Sequence, residues 1–145
     1  MSAILDRQHP LHDACTRGDL EKIRTLVDGP SAHDVNERGE PPQQWCPLHC
    51  AAVSGQCAVS RYLIQRKADI SIRDADGWTA LHMAASHGHA ALVEYLLDSD
   101  ADHALKDFDG FTSLHEAARN SRHDVVLLLL KAGARYRVLD LTGRP

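Results

Sequence analysis

Residues 74–106 read DADGWTALHMAASHGHAALVEYLLDSDADHALK, and residues 107–139 read DFDGFTSLHEAARNSRHDVVLLLLKAGARYRVL. The second stretch repeats the pattern of the first in register, and a Leu-His pair marks each unit. The histidines of successive pairs, His49, His82 and His115, lie 33 residues apart. Because this period is too long for one ordinary helix, it indicates a supersecondary unit that is repeated in a stacked array.

An earlier Leu-His pair marks a first, longer unit. His12 precedes His49 by 37 residues, so this unit carries about four extra residues, which we place around residues 29–31 and 39–42. The chain of 145 residues therefore divides into four repeats and a partial fifth, which together form a single domain. The approximate boundaries are 3–40, 41–73, 74–106, 107–139 and 140–145.

The sequence pattern of each unit predicts two helices followed by a polar connection. Thr79 and Thr112 stand immediately before an apolar run and can cap the first helix. Gly88 ends that helix, and a second helix follows from about Ala90 to Leu97, with leucine and valine at helical spacing. The polar segment between units ends in Asp-x-x-Gly, a pattern that indicates a hairpin-like connection.

This order of residues resembles the ankyrin repeat, whose pattern is D-x-x-G-x-T-P-L-H-x-A-A-x-x-G-H followed by a V-x-x-L-L helix. Repeats 3 and 4 match it closely. Repeat 2 keeps Pro47, Leu48 and His49 but lacks the Asp-x-x-Gly start, and repeat 1 keeps Leu11 and His12. The resemblance covers nearly the whole chain. It implies an all-α repeat solenoid of helix-loop-helix units with projecting β-hairpin fingers.

Three histidines within eight positions, His82, His87 and His89, first suggest a metal or catalytic cluster. The repeat offers a structural alternative, because the same residue types recur with each period and so belong to the scaffold. The resemblance implies that His82 forms hydrogen bonds within and between repeats, and that His89 opens the second helix. We therefore expect no catalytic role for these histidines.

Cysteines offer a second candidate metal site. Cys46 and Cys50 flank His49, and Cys57 is near, but a structural zinc site needs four convergent ligands at characteristic spacings. We favour small buried side chains instead. The sequence also has no phosphate loop, nucleophile elbow or dinucleotide motif, so we expect no enzyme, no metal and no cofactor.

The composition and net charge of the chain exclude some classes of partner. A net charge of -4 and a pI of about 6.2 argue against a nucleic-acid binder. No apolar run approaches the ~20 residues of a membrane helix, so we expect no membrane insertion. The N-terminal residues lack the apolar core of a secretory signal, and the four cysteines are therefore expected to be reduced in a cytoplasmic or nuclear protein.

Aromatic residues recur in one slot of the repeat. Trp45, Trp78 and Phe111 occupy it, with Phe108 beside the last, and the resemblance places this slot at the base of the fingers. Two interpretations stay open: the rings contact a partner, as exposed aromatics often do, or they pack the finger roots against the helices. Neighbouring candidate contacts on the concave face and finger tips are Val53, Ser54, Asp76, Ser86, His87, Asp109, Arg119 and Asn120.

Charge is unevenly distributed over the fingers. The connection between repeats 3 and 4 is acidic, and the segment beyond it carries Arg135, Arg137 and Arg144. The pattern is typical either of a solvated edge or of a field that steers a charged partner. Asn36 lies at a finger position where some ankyrin proteins are hydroxylated, and the sequence leaves this modification open.

The C-terminal helix is apolar all round, which is unusual for the end of an array. Leu127 and Leu128 take positions that are polar or aromatic in the earlier repeats, and residues 140–145 restart the Asp-x-x-Gly pattern. We therefore expect that the chain continues into further repeats of a longer protein. Self-association, or a partner that docks at this end, is the alternative.

The functional expectation is a protein–protein interaction module that binds a partner through its concave face and fingers. An adaptor or targeting domain of a longer protein is the first hypothesis. A free-standing ankyrin inhibitor of an enzyme such as a kinase is the alternative. The partner cannot be read from the sequence, because a shared framework carries different contact residues in different proteins.

Overall fold

The computed structural model describes residues 9–134, and these form eight helices arranged in four antiparallel pairs. The first pair is α1 (Pro10–Arg17) with α2 (Leu20–Asp28), and the second is α3 (Pro47–Ser54) with α4 (Cys57–Gln65). The third pair is α5 (Ala80–Ser86) with α6 (Ala90–Asp98), and the fourth is α7 (Ser113–Arg119) with α8 (His123–Lys131). The predicted all-α solenoid is confirmed. The start of repeat 1 and the partial fifth repeat lie outside the described residues.

Helix starts are set by side-chain caps where the sequence predicted them. Thr79 precedes α5 in extended conformation, and its hydroxyl accepts the backbone N–H of His82. Thr112 does the same for α7. The turn after α5 reaches Gly88, whose φ of 74° is a left-handed conformation that glycine adopts without strain. These local features make each pair of helices a unit that repeats.

The fingers are turns, and no strand occurs in the 9–134 range. The backbone N–H of Asp74 donates to the carbonyl of Trp78 at 2.9 Å, as in a hairpin. The return bond from the Trp78 N–H goes to the Asp74 side chain at 2.9 Å, and not to its carbonyl. The hairpin-like connection is therefore present, but a carboxylate replaces half of the strand pairing.

The first helices of successive pairs contact one another more extensively than the second helices do. The side formed by the first helices corresponds to the concave side that the ankyrin resemblance implies. Alanines on the first helices permit this contact, and Ala52 and Ala85 are fully buried. Each first helix contributes one buried leucine to the core, and these residues are Leu11, Leu48, Leu81 and Leu114.

Apolar side chains remain exposed on α8. Leu127 is 67% exposed and Leu130 is 42% exposed, while Leu128 is half-buried. The predicted apolar end is therefore present on this helix. The longest described helices have nine residues, and no helix within 9–134 is long and apolar enough to cross a membrane.

Candidate functional site

Buried histidines connect one repeat to the next. The Nδ1 atom of His82 accepts the Thr79 backbone N–H at 3.2 Å, and its Nε2 atom donates to the carbonyl of Phe111 at 3.0 Å. Burial lowers the pKa of His82, so the ring stays neutral with its proton on Nε2. His49 bonds in the same way to the carbonyl of Ile72 at 3.0 Å. The structural role predicted for His82 is confirmed.

Buried aspartates organise the finger roots. Asp107 accepts the backbone N–H groups of Asp109 and Phe111 on Oδ1, and the indole N–H of Trp78 on Oδ2 at 3.1 Å. One repeat earlier, Asp74 accepts the indole N–H of Trp45 at 3.1 Å. Each tryptophan thus ties its own repeat to the next one. The half-buried indoles use their single donor inside the protein, which favours the packing interpretation of these two rings.

The phenylalanines of the last finger differ in exposure. Phe111 is half-buried, with its ring centroid 5.8 Å from that of His115 and the guanidinium of Arg119 5.5 Å above it. Phe108 is 68% exposed at the finger tip, where its backbone N–H donates to the carbonyl of Asp76 at 3.1 Å. Phe108 is therefore the aromatic side chain of this set that a partner can reach most easily.

Predicted concave residues come together at the ends of the first helices. The side-chain amide of Asn120 donates to the hydroxyl of Ser86 at 3.2 Å, across the boundary between two repeats. His87 is exposed, and its Nδ1 atom donates to the carbonyl of Met83 at 2.9 Å. Val53, Ser54 and Ser86 are half-buried, whereas His87, Arg119 and Asn120 are exposed.

Arg119 is positioned by a residue that the sequence analysis did not select. Its Nη2 atom lies 3.1 Å from Oε2 of Glu116, whose side chain is only 2% exposed. Burial raises the pKa of Glu116, and the positive charge of Arg119 opposes that effect. Glu116 takes the place of Cys50 and Met83 in the two preceding repeats, so an acidic residue after the Leu-His pair was the available signal.

The cysteines are free thiols, of which Cys15, Cys46 and Cys50 are buried and Cys57 is half-buried. All four lie in the described range and none forms a disulfide there. Burial raises the pKa of Cys46 to about 11 and that of Cys50 to about 12, so both thiols are protonated at neutral pH. The Nδ1 atom of His49 already accepts the backbone N–H of Cys46 at 3.0 Å. Within residues 9–134, no group of three or more His, Cys, Asp or Glu side chains is arranged to hold a metal ion.

One feature of the N-terminal repeat escaped the sequence analysis. A cavity of about 510 Å³ lies against α1, and residues 39–41 form part of its wall. These residues belong to the insertion that lengthens repeat 1. The longer spacing between His12 and His49 was therefore the signal, although spacing alone does not show a cavity.

Comparison with known proteins agrees with this scaffold. A family model described as ankyrin repeats (3 copies) matches residues 2–74 and 67–140. The chain belongs to the ankyrin repeat family. The match covers nearly the whole length and confirms the resemblance seen in the Leu-His units.

Similar proteins have different activities. Protein phosphatase 1 regulatory subunit 27 of Mus musculus is 38% identical over 79 residues, which are 50% of this chain and 48% of that protein. Phosphocholine transferase AnkX of Legionella pneumophila is 36% identical over 78 residues, 50% of this chain and 8% of the transferase. Palmitoyltransferase AKR1 of Saccharomyces cerevisiae is 32% identical over 62 residues, 43% of this chain and 8% of the transferase.

These matches are partial. The chain spans about half the length of the phosphatase regulatory subunit, and each transferase is matched over less than a tenth of its length. What the chain shares with all three is the repeat scaffold, and a scaffold can support unrelated functions. Ankyrin repeats generally mediate protein–protein interaction, and a regulatory subunit among the relatives is consistent with a binding role.

Proposed function

We propose that this chain is a protein-binding module, and that its binding surface consists of the concave ends of the first helices together with the finger tips. The observation that carries the proposal is a contrast between two sets of repeat positions. Framework positions carry the same residue type in successive repeats and are buried, as His49 and His82 are. Concave positions change chemistry from repeat to repeat, as Val53, Ser86 and Arg119 do.

A surface of this kind suits recognition. The framework holds the chain rigid through bonds between repeats, so few contact side chains need to be ordered when a partner binds. Exposed aromatic and arginine side chains are the residue types that most often anchor an interface. Phe108 and Arg119 supply both types among the exposed candidate residues.

The partner class remains part of the proposal. Since a relative is named as a regulatory subunit of protein phosphatase 1, the catalytic subunit of that phosphatase is the first candidate partner. Binding that leaves the enzyme active would indicate an adaptor or targeting role. Binding that blocks the enzyme would indicate the inhibitor alternative.

The test compares two matched variants with the parent chain. The concave variant carries His87→Ala, Phe108→Ala and Asn120→Ala. The convex variant removes three exposed side chains from the second helices and carries Arg24→Ala, Gln65→Ala and Glu94→Ala. Trp45 and Trp78 are left intact, because their replacement would disturb the bonds between repeats.

Affinity for the phosphatase catalytic subunit, and for proteins captured from a lysate, would be measured after each variant is shown to be folded by circular dichroism. We expect the concave variant to bind at least about tenfold more weakly, since truncation of interface anchors often costs more than 1 kcal/mol each. The convex variant should bind like the parent. The reverse pattern would contradict the proposed surface.

A further inference from the structure

The cavity in the N-terminal repeat lies at one end of the proposed binding surface. It has a volume of about 510 Å³, is half open to solvent, and is lined by α1, by residues 39–41 and by Trp45. Its lining includes two carboxylates, those of Asp13 and Glu40, and the described residues that line it include no lysine or arginine. The space is large enough to hold one long side chain of a partner.

The walls are held in place by the rest of the structure. The backbone N–H of Gly39 donates to the carbonyl of Trp45 at 2.7 Å, and Nε2 of His12 donates to the same carbonyl at 2.7 Å. A Cβ atom on Gly39 would approach that carbonyl to 3.2 Å, so the loop lies close against its neighbours. Asp74 fixes the indole of Trp45 from the other side. The cavity is therefore preorganised, which lowers the cost of filling it.

Three buried polar atoms in this region, Nε2 of His9, Nδ1 of His12 and Oδ2 of Asp13, make no hydrogen bond within residues 9–134. Nε2 of His12 is the donor to Trp45, and burial lowers the pKa of this histidine, so its Nδ1 atom is an acceptor. Arg17 Nε lies 3.2 Å from Asp13 Oδ2, but the pair lacks hydrogen-bond geometry. Unsatisfied buried polar groups are uncommon, and a donor supplied by a bound group is one explanation for them.

Charge and shape specify which donor would fit. Oε1 of Glu37 lies 3.6 Å from Nδ1 of His12, and Glu40 lies at the rim, so three carboxylates, with Asp13, stand near the cavity against the single positive charge of Arg17. The Trp45 indole and the ring of Pro41 supply apolar walls, and an indole face attracts a cation. Glu40, which pairs with His9, is 72% exposed, and Arg17, which pairs with Asp13, is 54% exposed, so solvent does not hold either pair closed.

We propose that this cavity receives a basic side chain, arginine in preference to lysine, from the protein partner. A guanidinium offers five donors in a planar fork and can stack on the indole while its donors meet Asp13 and Glu40. The inference rests on the proposed function, since it names a chemical feature of the partner that the concave face binds. It predicts that the bound segment places an arginine against repeat 1.

A small probe tests the cavity without the partner. N-acetyl-arginine N-methylamide would be titrated into the full chain, and the indole N–H signal of Trp45 would be followed by NMR. Trp78 occupies the equivalent slot of repeat 3 and is the internal control. We expect saturable shifts at Trp45 with a dissociation constant of about 1 mM, the range typical of a ligand of this size, and no comparable shift at Trp78.

Neutral and lysine analogues separate charge from shape. The citrulline analogue has nearly the same shape as arginine but no charge, and it should bind about tenfold more weakly or not at all. The lysine analogue should lie between the two. Equal binding of citrulline and arginine, equal shifts at Trp45 and Trp78, or no saturation by about 50 mM arginine analogue would each overturn the proposal.

Matched variants test whether the carboxylate of Asp13 binds the arginine analogue. Asp13→Asn should weaken the arginine analogue about tenfold, since a charge-assisted hydrogen bond is lost. Glu94→Gln removes the same charge from an exposed position on α6 and should change nothing. If partner binding survives while the probe fails, the cavity inference alone is wrong. If the probe binds but the concave variant keeps full partner affinity, the proposed surface is wrong.

Discussion

Repeats 3 and 4 have almost the same sequence pattern but differ in how deeply they are buried. Ala85 of repeat 3 is fully buried, whereas Ala118 at the same position of repeat 4 is exposed. Val93 is fully buried, and its counterpart Val126 is only half-buried. Repeat 3 packs against helices on both sides, while α7 and α8 pack against described helices on one side. Burial of these positions therefore depends on the neighbouring repeat.

Other positions are buried equally in both repeats. Leu81 and Leu114 are both buried although only repeat 3 has a described helix pair on its C-terminal side, and we call such positions within-repeat positions. The two kinds of position can be separated by mutation. Within-repeat positions should respond alike in repeats 3 and 4, and between-repeat positions should not.

The largest effect is expected for the within-repeat leucines. Leu81→Ala and Leu114→Ala should each lower the free energy of unfolding by about 2–5 kcal/mol, through lost burial and the cavity left behind. Urea denaturation monitored by circular dichroism measures this. A much smaller loss at Leu114 than at Leu81 would contradict the view that the core of repeat 4 is complete.

A smaller effect, which should differ between the repeats, is expected at the alanines. Ala85→Leu forces extra methyl groups between packed helices and should destabilise by about 1–3 kcal/mol. Ala118→Leu adds them to an exposed surface and should change stability by less than about 0.5 kcal/mol. The same denaturation assay applies, and equal losses would mean that Ala118 is covered in solution.

Removal of the helix caps should produce a graded effect. Thr79 is buried and Thr112 is half-buried, so water can replace the lost hydroxyl only at the second position. We expect Thr79→Ala to cost up to about 2 kcal/mol and Thr112→Ala about 0.5 kcal/mol. Thermal unfolding of both variants beside Thr79→Ser, which keeps the hydroxyl, provides the measurement and the control.

The smallest stability effect is expected on the exposed face of α8. Leu127 takes the position that Glu94 has in repeat 3, so Leu127→Glu should change the free energy of unfolding by less than about 0.5 kcal/mol. It should also weaken any concentration-dependent association, which size-exclusion chromatography with light scattering detects. A large loss of stability would show that this leucine is part of the core.

Much of the fold could be predicted because its determinants are local. The helix predicted from about Ala90 to Leu97 is observed as Ala90–Asp98, and both threonine caps are confirmed. Capping and helical periodicity involve residues three or four positions apart, so a single sequence records them. The fingers were less predictable, because the Asp74 carboxylate competes with backbone pairing for the same N–H groups.

The candidate site was predictable in part. The sequence selected the aromatic slot and the concave positions, and the structure brings Ser86 and Asn120 into contact. It did not select Glu116 as the support for Arg119. Nor did it separate the two interpretations of the tryptophans, since each indole donates to an aspartate 29 residues further along the chain.

By itself, the sequence determined the repeat period, the helices, their caps and the family, because each of these depends on residues that are close along the chain. Tertiary structure alone decided which repeats are buried on both sides, which aromatic ring is left exposed and where a cavity forms. These features depend on contacts between residues of different repeats. A pattern of residue types records that the repeats stack, but it does not record which side chains the stacking leaves without a neighbour.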